Sequence, residues 1–393
     1  MSTTVLVEGA RTPIGKLLGH LASLPAPELG GIAVAAAIER AGIDADSVDA
    51  AILGNVIQAG VGANPARQAA LAGGLSMAVS ATTINKLCLS GMTAIGQADA
   101  FIRSGYHRTV VAGGFESMSM APYLARGARG GYKYGSAWLE DSLERDALLC
   151  SIDGEVMGLA TEKYQRAFGF TRADLDEFAA ASHEKAAAAI SEGRLGDEIV
   201  PVTVSSRGGD VVMENDEGVR ANTTVESLAR LRPAFTADGV TTAGSSSQLS
   251  DGACAVVLMS KEEAERQGIQ WLAEIVSYGT VAGPDPSLLL QPAAAIRDAL
   301  NRSGGLRLAD LSVVEINEAF AGVALASARE LGLTVDKLNP NGGAIALGHP
   351  VGMSGARLAL TLAYELRRNG GGFGAAALCG GGGQGDALII RVP

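Results

Sequence analysis

The sequence predicts an α/β protein built from two similar halves, with mixed sheets covered by helices and a separate lobe between them. Three observations lead there. Short apolar segments alternate with amphipathic helical stretches, the pattern of strands packed under helices. A set of landmarks in the first third recurs in the same order about 264 residues later, too long a period for a solenoid. The stretch between the copies, 121–242, is richer in charge and in Gly, Arg and Ser.

The bulk numbers agree. A chain of 393 residues exceeds one ordinary core and suggests two or three domains. Apolar content of 47% and a mean hydropathy of +0.21 supply ample core material. Aromatics are only 4%, so Ala, Val, Leu and Ile must build the core, and 52 glycines permit close backbone packing. A net charge of −11 argues against nucleic acid, which needs a basic face. An anionic ligand would need a local patch: Arg126, Arg129 and Lys133 in RGARGGYKYG, or Arg220. The N-terminus has no basic signal-like region, and no apolar run is long enough to span a membrane. Four cysteines, at 88, 150, 254 and 379, make neither a disulfide framework nor a C-x-x-C pair. A zinc site is not expected, and a cytoplasmic, reducing environment is.

Along the chain, MSTTVLVEGARTP enters strand-like sequence at once. RAGIDADSVDAAILGNV (40–56) reads as a helix end, a turn and an apolar strand closing at Asn55. Ser90-Gly91 opens a helix ending at Gly105, where a left-handed C-terminal residue fits. TVVAGG (109–114) is a strand. The insert holds a helix over 172–192 and the segment SSRGGDVVMENDEGVR. DGACAVVLMS (251–260) returns to core-like sequence as a strand completing the first half. The second copy then follows: RSGGLRLADLSVVEINE (302–318) closing at Asn317, a helix from Ser354-Gly355 through Arg368 to Gly370, and the strand in GAAALCGGGG (374–383).

Chemistry-bearing residues cluster at the ends of these elements. Cys88 precedes a helix, where unpaired N–H groups and the macrodipole favour thiolate. Cys379 ends a strand before four glycines, whose N–H groups are close donors for an oxyanion. Gly380 to Gly385 matches G-x-G-x-x-G, but a final strand follows rather than a helix, so a dinucleotide site is not expected. The Asn317 amide can donate to a carbonyl directly or through water. His349, in NPNGGAIALGHPVGMSGAR, is one of four histidines and sits in a glycine-rich loop ahead of a helix, as a pseudo-symmetric partner of Cys88. Cys150 and Cys254 read as packing residues; His20, His107 and His183 read as surface.

Taken together, NKLCLSG around Cys88, VVAGGFESMS (110–119), LRPAFTADGVTTAG (231–244), NEAF (317–320), GGAIALGHPVGMSGAR and CGGGGQG resemble the thiolase family, comprising acetyl-CoA acetyltransferases and 3-ketoacyl-CoA thiolases. The resemblance covers the whole chain. It implies the thiolase fold, two pseudo-symmetric βαβαβαββ halves with mixed five-stranded sheets: 1–120 completed by 243–270, and 271–393, with 121–242 as an inserted loop domain covering coenzyme A. It implies Cys88 as nucleophile, His349 as its activator, and Cys379 as acid and base. One oxyanion site would use the backbone of Cys88 and Gly381, the other His349 and a water held by Asn317. It places Arg220, Phe235, Ala243, Ser247, Met157 and Phe320 around coenzyme A. No metal or permanent cofactor is implied. The substrates would be acetyl-CoA, acetoacetyl-CoA and coenzyme A, with longer 3-ketoacyl-CoA as the alternative. The assembly would be a homo-oligomer, tetramer over dimer, because RGARGGYKYG falls where tetrameric members carry their assembly loop. Two departures touch the acyl or pantetheine wall. Val156 replaces the His of the biosynthetic members' His-Met-Gly, and Leu289-Leu290-Gln291-Pro292 replaces their Gly-x-Gly-Pro.

Overall fold

The computed structural model describes residues 2–206 and 208–393; Arg207, inside the charged segment noted above, lies outside them. In chain order the first half contributes β1 (Thr4–Arg11), α1 (Ala26–Ala41), β2 (Ala50–Gly54), α2 (Pro65–Ala72), β3 (Ser80–Ile84), α3 (Ser90–Arg103) and β4 (Thr109–Ser117). The lobe carries α4 (Met157–Gln165) and α5 (Arg172–Ser191). The first half closes with β5 (Ser250–Ser260). The second half is β6 (Ala273–Ala282), α6 (Gln291–Arg302), β7 (Leu311–Ile316), α7 (Ala321–Leu331), α8 (Ser354–Arg368), β8 (Gly372–Gly380) and β9 (Gln384–Val392).

The strands form one continuous ladder, β3–β2–β4–β5–β1–β6–β9–β8–β7. β2 runs parallel to β3 and β4, as β7 does to β8; the other pairings are antiparallel. The halves meet edge to edge at β1 and β6, through Val5–Glu274 and Leu6–Ala273. The expected five strands are present in the first half. The second half has four, and one parallel bridge from Val314 to Leu338 stands where the fifth would be. The reason is Asn339. With φ at 48° it turns the chain away, and its side chain replaces the missing strand. Asn339 Oδ1 accepts from Ile316 N at 2.8 Å, and Nδ2 donates to Ile316 O at 2.9 Å. Pro340, which has no N–H, could not have extended the ladder.

Helices α3 and α8 pack against each other on the inner faces of the sheets, with α1 and α2 outside the first half and α6 and α7 outside the second. The matched Ser-Gly pairs explain the inner crossing. A Cβ on Gly91 would stand 2.9 Å from Ala356 N, and one on Gly355 would stand 2.7 Å from Met92 Cβ. Glycine at both positions lets the two helix starts touch. Three apolar clusters result: one around α3 and α8 (Met92, Ile95, Leu358, Leu362), one under α1 and α2 (Leu29, Val34, Phe115), and one under α6 and α7 (Ile296, Val323, Ala377).

Between β4 and β5 the described residues add no strand to this sheet except the Arg11–Ile199 bridge beside β1. Arg11, fully buried, anchors the stretch to β1: its guanidinium meets Asp216 at 2.7 and 3.0 Å and Glu198 at 2.7 Å. A Thr171–Asp174 capping box starts α5. His183, expected at the surface, lies instead on the inner face of α5, 2% exposed. Its Nδ1 accepts from Arg220 N at 3.2 Å; burial and the Arg220 charge hold it down at about 4.

Candidate active site

Cys88 sits in a knot between β3 and α3. Leu87 adopts a left-handed φ of 53°, held by its N–H donating to Asn85 Oδ1 at 3.1 Å. Ser90 Oγ accepts from Lys86 N at 2.9 Å and donates to Leu87 O at 2.6 Å. The result is a thiol only 7% exposed, with the N–H groups of Cys88 itself and of Gly381 directed at its sulfur. The helix-start argument favoured thiolate, and burial overrides it. Desolvation pushes the Cys88 thiol up to about 12, the two N–H groups pull it down, and the Glu116 charge raises it. Cys379, fully buried at the end of β8, is pushed up by burial and by its neighbour Cys88. At rest both groups are thiols.

His349 is the third member. Its Nδ1 lies 2.6 Å from Ser354 Oγ, and Ser354 Oγ donates to Pro350 O at 2.9 Å. The serine proton is thereby committed, so Nδ1 carries the imidazole hydrogen and Nε2 the lone pair. Nε2 faces Asn317 Nδ2 at 3.4 Å. Burial, then the Arg357 charge, hold the ring down at about 3, so it is a neutral base. Asn317 follows β7, its N–H donating to Ala377 O at 2.9 Å, and its buried Oδ1 has no hydrogen-bond partner. Aligning Ser90 with Ser354 pairs Cys88 with Gly352 and His349 with Asn85. Cys88 and His349 are therefore not each other's equivalents, as had been expected. They occupy the two different halves.

A cavity of about 660 Å³ has His349 in its wall. Met157, Arg220, Phe235, Ala243, Ser247 and Phe320 all line it. Phe235 and Phe320 meet edge to face, with centroids 6.0 Å apart. Met157 joins the cavity to the thiol, because a Cβ on Gly381 would overlap Met157 Cε. Arg220 is exposed at the rim. Val156 lines the cavity as expected; Leu289 and Leu290 do not. Leu289 is buried against Gly322 of α7, with its carbonyl accepting from Ser327 Oγ at 2.9 Å, and Leu290 points outward.

Three participants escaped the sequence. Ser354, noted only as a helix start, fixes the His349 tautomer. Gln248 accepts the His349 N–H on its carbonyl at 3.1 Å, while its side-chain amide donates to Gly218, Ile345 and Ala346. Glu116 is fully buried at the end of β4. Among the described residues no group of three or more His, Cys, Asp or Glu is placed to hold a metal ion.

Two family models divide the chain between them: the thiolase N-terminal domain matches residues 4–262 and the thiolase C-terminal domain 269–392. The chain belongs to the thiolase family. Similar relatives include a probable acetyl-CoA acetyltransferase of Mycolicibacterium smegmatis, 55% identical over 98% of this chain and 100% of that one. The acetyl-CoA acetyltransferase of Escherichia coli is 46% identical over 100% of this chain and 99% of that thiolase. The crystal structure of the Bacillus anthracis acetyl-CoA acetyltransferase superposes with a TM-score of 0.97 at 41% identity, covering 100% of this chain and 99% of that one. The thiolase fold is thus that of the whole chain.

Proposed function

We propose that the chain is an acetyl-CoA C-acetyltransferase, joining two acetyl-CoA into acetoacetyl-CoA and coenzyme A, and reversing that reaction by thiolysis. The observation that carries this reading is a neutral imidazole, His349, in the wall of a cavity whose Met157 abuts Gly381, the residue that directs its N–H at the buried Cys88 thiol beside Cys379. Relatives bearing that activity in their names support it.

The chemistry starts from neutral groups. Cys88 Sγ attacks the first thioester carbonyl as its proton passes to His349 Nε2. Coenzyme A leaves with the proton of Cys379, giving acetyl-Cys88, a Cys379 thiolate and an imidazolium. The thiolate then takes the α-proton of the second acetyl-CoA. The carbanion attacks the acetyl carbonyl, and Cys88 departs and recovers its proton from His349, restoring the resting state. Charges inside the site thus appear in opposite pairs, which a low-dielectric pocket tolerates. The N–H groups of Cys88 and Gly381 serve one oxyanion, and His349 with a water on Asn317 Oδ1 serves the other. One such donor is worth roughly 3 kcal/mol.

Residues 121–242 act as the loop domain over coenzyme A, inserted between 1–120 with 243–270 and 271–393. Arg220 meets phosphate, Phe235 the adenine–pantetheine stem, and Ser247 the pantetheine amides. No permanent cofactor is used. A cytoplasmic tetramer is favoured over a dimer: Tyr134 within the 126–135 loop, and Tyr123 and Trp138 on either side of it, stand exposed, as an assembly surface would. No helix among the described residues is long and apolar enough to cross a membrane. The second reading is a 3-ketoacyl-CoA thiolase of fatty-acid degradation, favoured only by Val156 in the cavity wall. Cys88→Ala must abolish acetoacetyl-CoA thiolysis, and kcat/KM across 3-ketoacyl-CoAs of rising length must fall sharply after four carbons. Retained turnover refutes the mechanism, and a flat series selects the second reading.

A further inference from the structure

The junction of the halves holds a buried acid beside the reactive centre. At the offset of 264 that pairs Ser90 with Ser354, Gly352 takes the place of Cys88 and brings no thiol. Instead, Glu116 accepts four hydrogen bonds: Asn55 Nδ2 at 2.9 Å and Ile57 N at 3.1 Å on Oε1, and Val56 N and Gly352 N, each at 3.0 Å, on Oε2.

Gly352 makes this consequential. It lies three residues after His349 and two before Ser354, the partner of the His349 ring. Its carbonyl is wedged at the junction of the halves: a Cβ on Gly54 or Gly91 would stand 2.9 Å from it, and one on Gly114 would overlap it. Within that wedge, the Gly352 N–H is fixed by a carboxylate from the other half. The charge of the same carboxylate, after burial, raises the Cys88 thiol. The other acid bearing on Glu116 is Asp251 on β5, held by Ser119.

We propose that Glu116 is a positioning residue, which ties the His349 loop to the first half through the Gly352 N–H. Its charge also opposes ionisation of Cys88. Burial pushes Glu116 itself up to about 7, and the backbone N–H groups of Ile57, Val56 and Gly352 pull it down. This rests on Cys88 being the nucleophile.

The test compares Glu116→Ala with Glu116→Gln. Alanine releases Gly352. Glutamine can keep its oxygen on Val56 and Gly352 and donate its amide to Asn55 Oδ1, which has no partner, once the Asn55 amide turns over; only the Ile57 N–H loses its acceptor. In Glu116→Ala, kcat for thiolysis should fall on the order of a hundredfold, as a displacement of about 1 Å would cause, with KM for coenzyme A unchanged. Glu116→Gln should recover most of that loss. In both, the pH dependence of Cys88 alkylation by iodoacetamide should move to lower pH, because a negative neighbour has gone. A purely structural role would not move it that way. Wild-type kcat in Glu116→Ala, or an unshifted alkylation profile, overturns the proposal. If the alanine variant does not fold, the glutamine profile decides alone. Cys88→Ala separates the two levels: if it keeps turnover, the nucleophile assignment fails; if it is dead while Glu116→Ala is fully active, only the positioning role fails.

Discussion

Gly381→Ala separates space from hydrogen bonding at the thiol. The residue lies outside the left-handed region, so alanine fits its backbone, and the N–H directed at Cys88 is kept. The added methyl, however, would overlap Met157 Cε and stand 2.6 Å from Leu87 Cδ1 and 3.2 Å from Met157 Sδ. Carbon atoms settle at about 3.5–4.0 Å, so Leu87 must retreat by about 1 Å and Met157 by more. Leu87 immediately precedes the thiol and Met157 lines the cavity, so both shifts reach the reacting centre. A displacement of that size costs on the order of a hundredfold in rate, about 2.7 kcal/mol. The assay is steady-state acetoacetyl-CoA thiolysis with circular dichroism as a control for folding. Gly381→Ala should fold and lose about two orders of magnitude in kcat/KM, and adding Met157→Ala should restore much of it by removing the larger obstacle. Wild-type turnover in the single variant, or no gain in the double, would show that this contact does not govern access to Cys88.

Other expectations follow from the same geometry. Cys379→Ala should still take an acetyl group from acetyl-CoA onto Cys88 but lose condensation, read by product formation against label incorporation; loss of labelling too would deny Cys379 its separate role. Because burial pushes the Cys88 thiol up to about 12, its alkylation rate should keep rising past the ordinary cysteine value of about 8.5, and a plateau near neutrality would contradict the neutral resting pair. Arg220→Ala should raise KM for coenzyme A with kcat little changed, and more so at low ionic strength; an unchanged KM would remove Arg220 from the phosphate site.

Much of this was legible in the chain. The Ser-Gly pairs at 90 and 354 marked the duplication because two helices meet there at backbone distance, and only glycine allows it. The ends of β4, β7 and β8 could be placed because apolar runs stop at Asn, Gly or Cys. What escaped depended on side chains acting across the fold. The fifth strand of the second half is missing because one amide, Asn339, satisfies Ile316, and no periodicity records that. His183 looked like a surface residue on a polar helix until α5 was seen to turn that face inward. The thiolate expectation for Cys88 followed from its helix, but desolvation by the surrounding halves outweighs the local N–H groups. Glu116 reads as a lone acid in an apolar strand, and its meaning appears only when four donors from two segments, one in each half, converge on it.

The central claim is that the acyl group passes through Cys88. Rapid quenching of the protein with acetyl-CoA in the absence of free coenzyme A, followed by peptide mass spectrometry, tests it most directly. The account predicts one hydroxylamine-labile acetyl group on the peptide containing Cys88, discharged by adding coenzyme A. An acetyl group on Cys379 instead, or turnover with no covalent adduct, would contradict it.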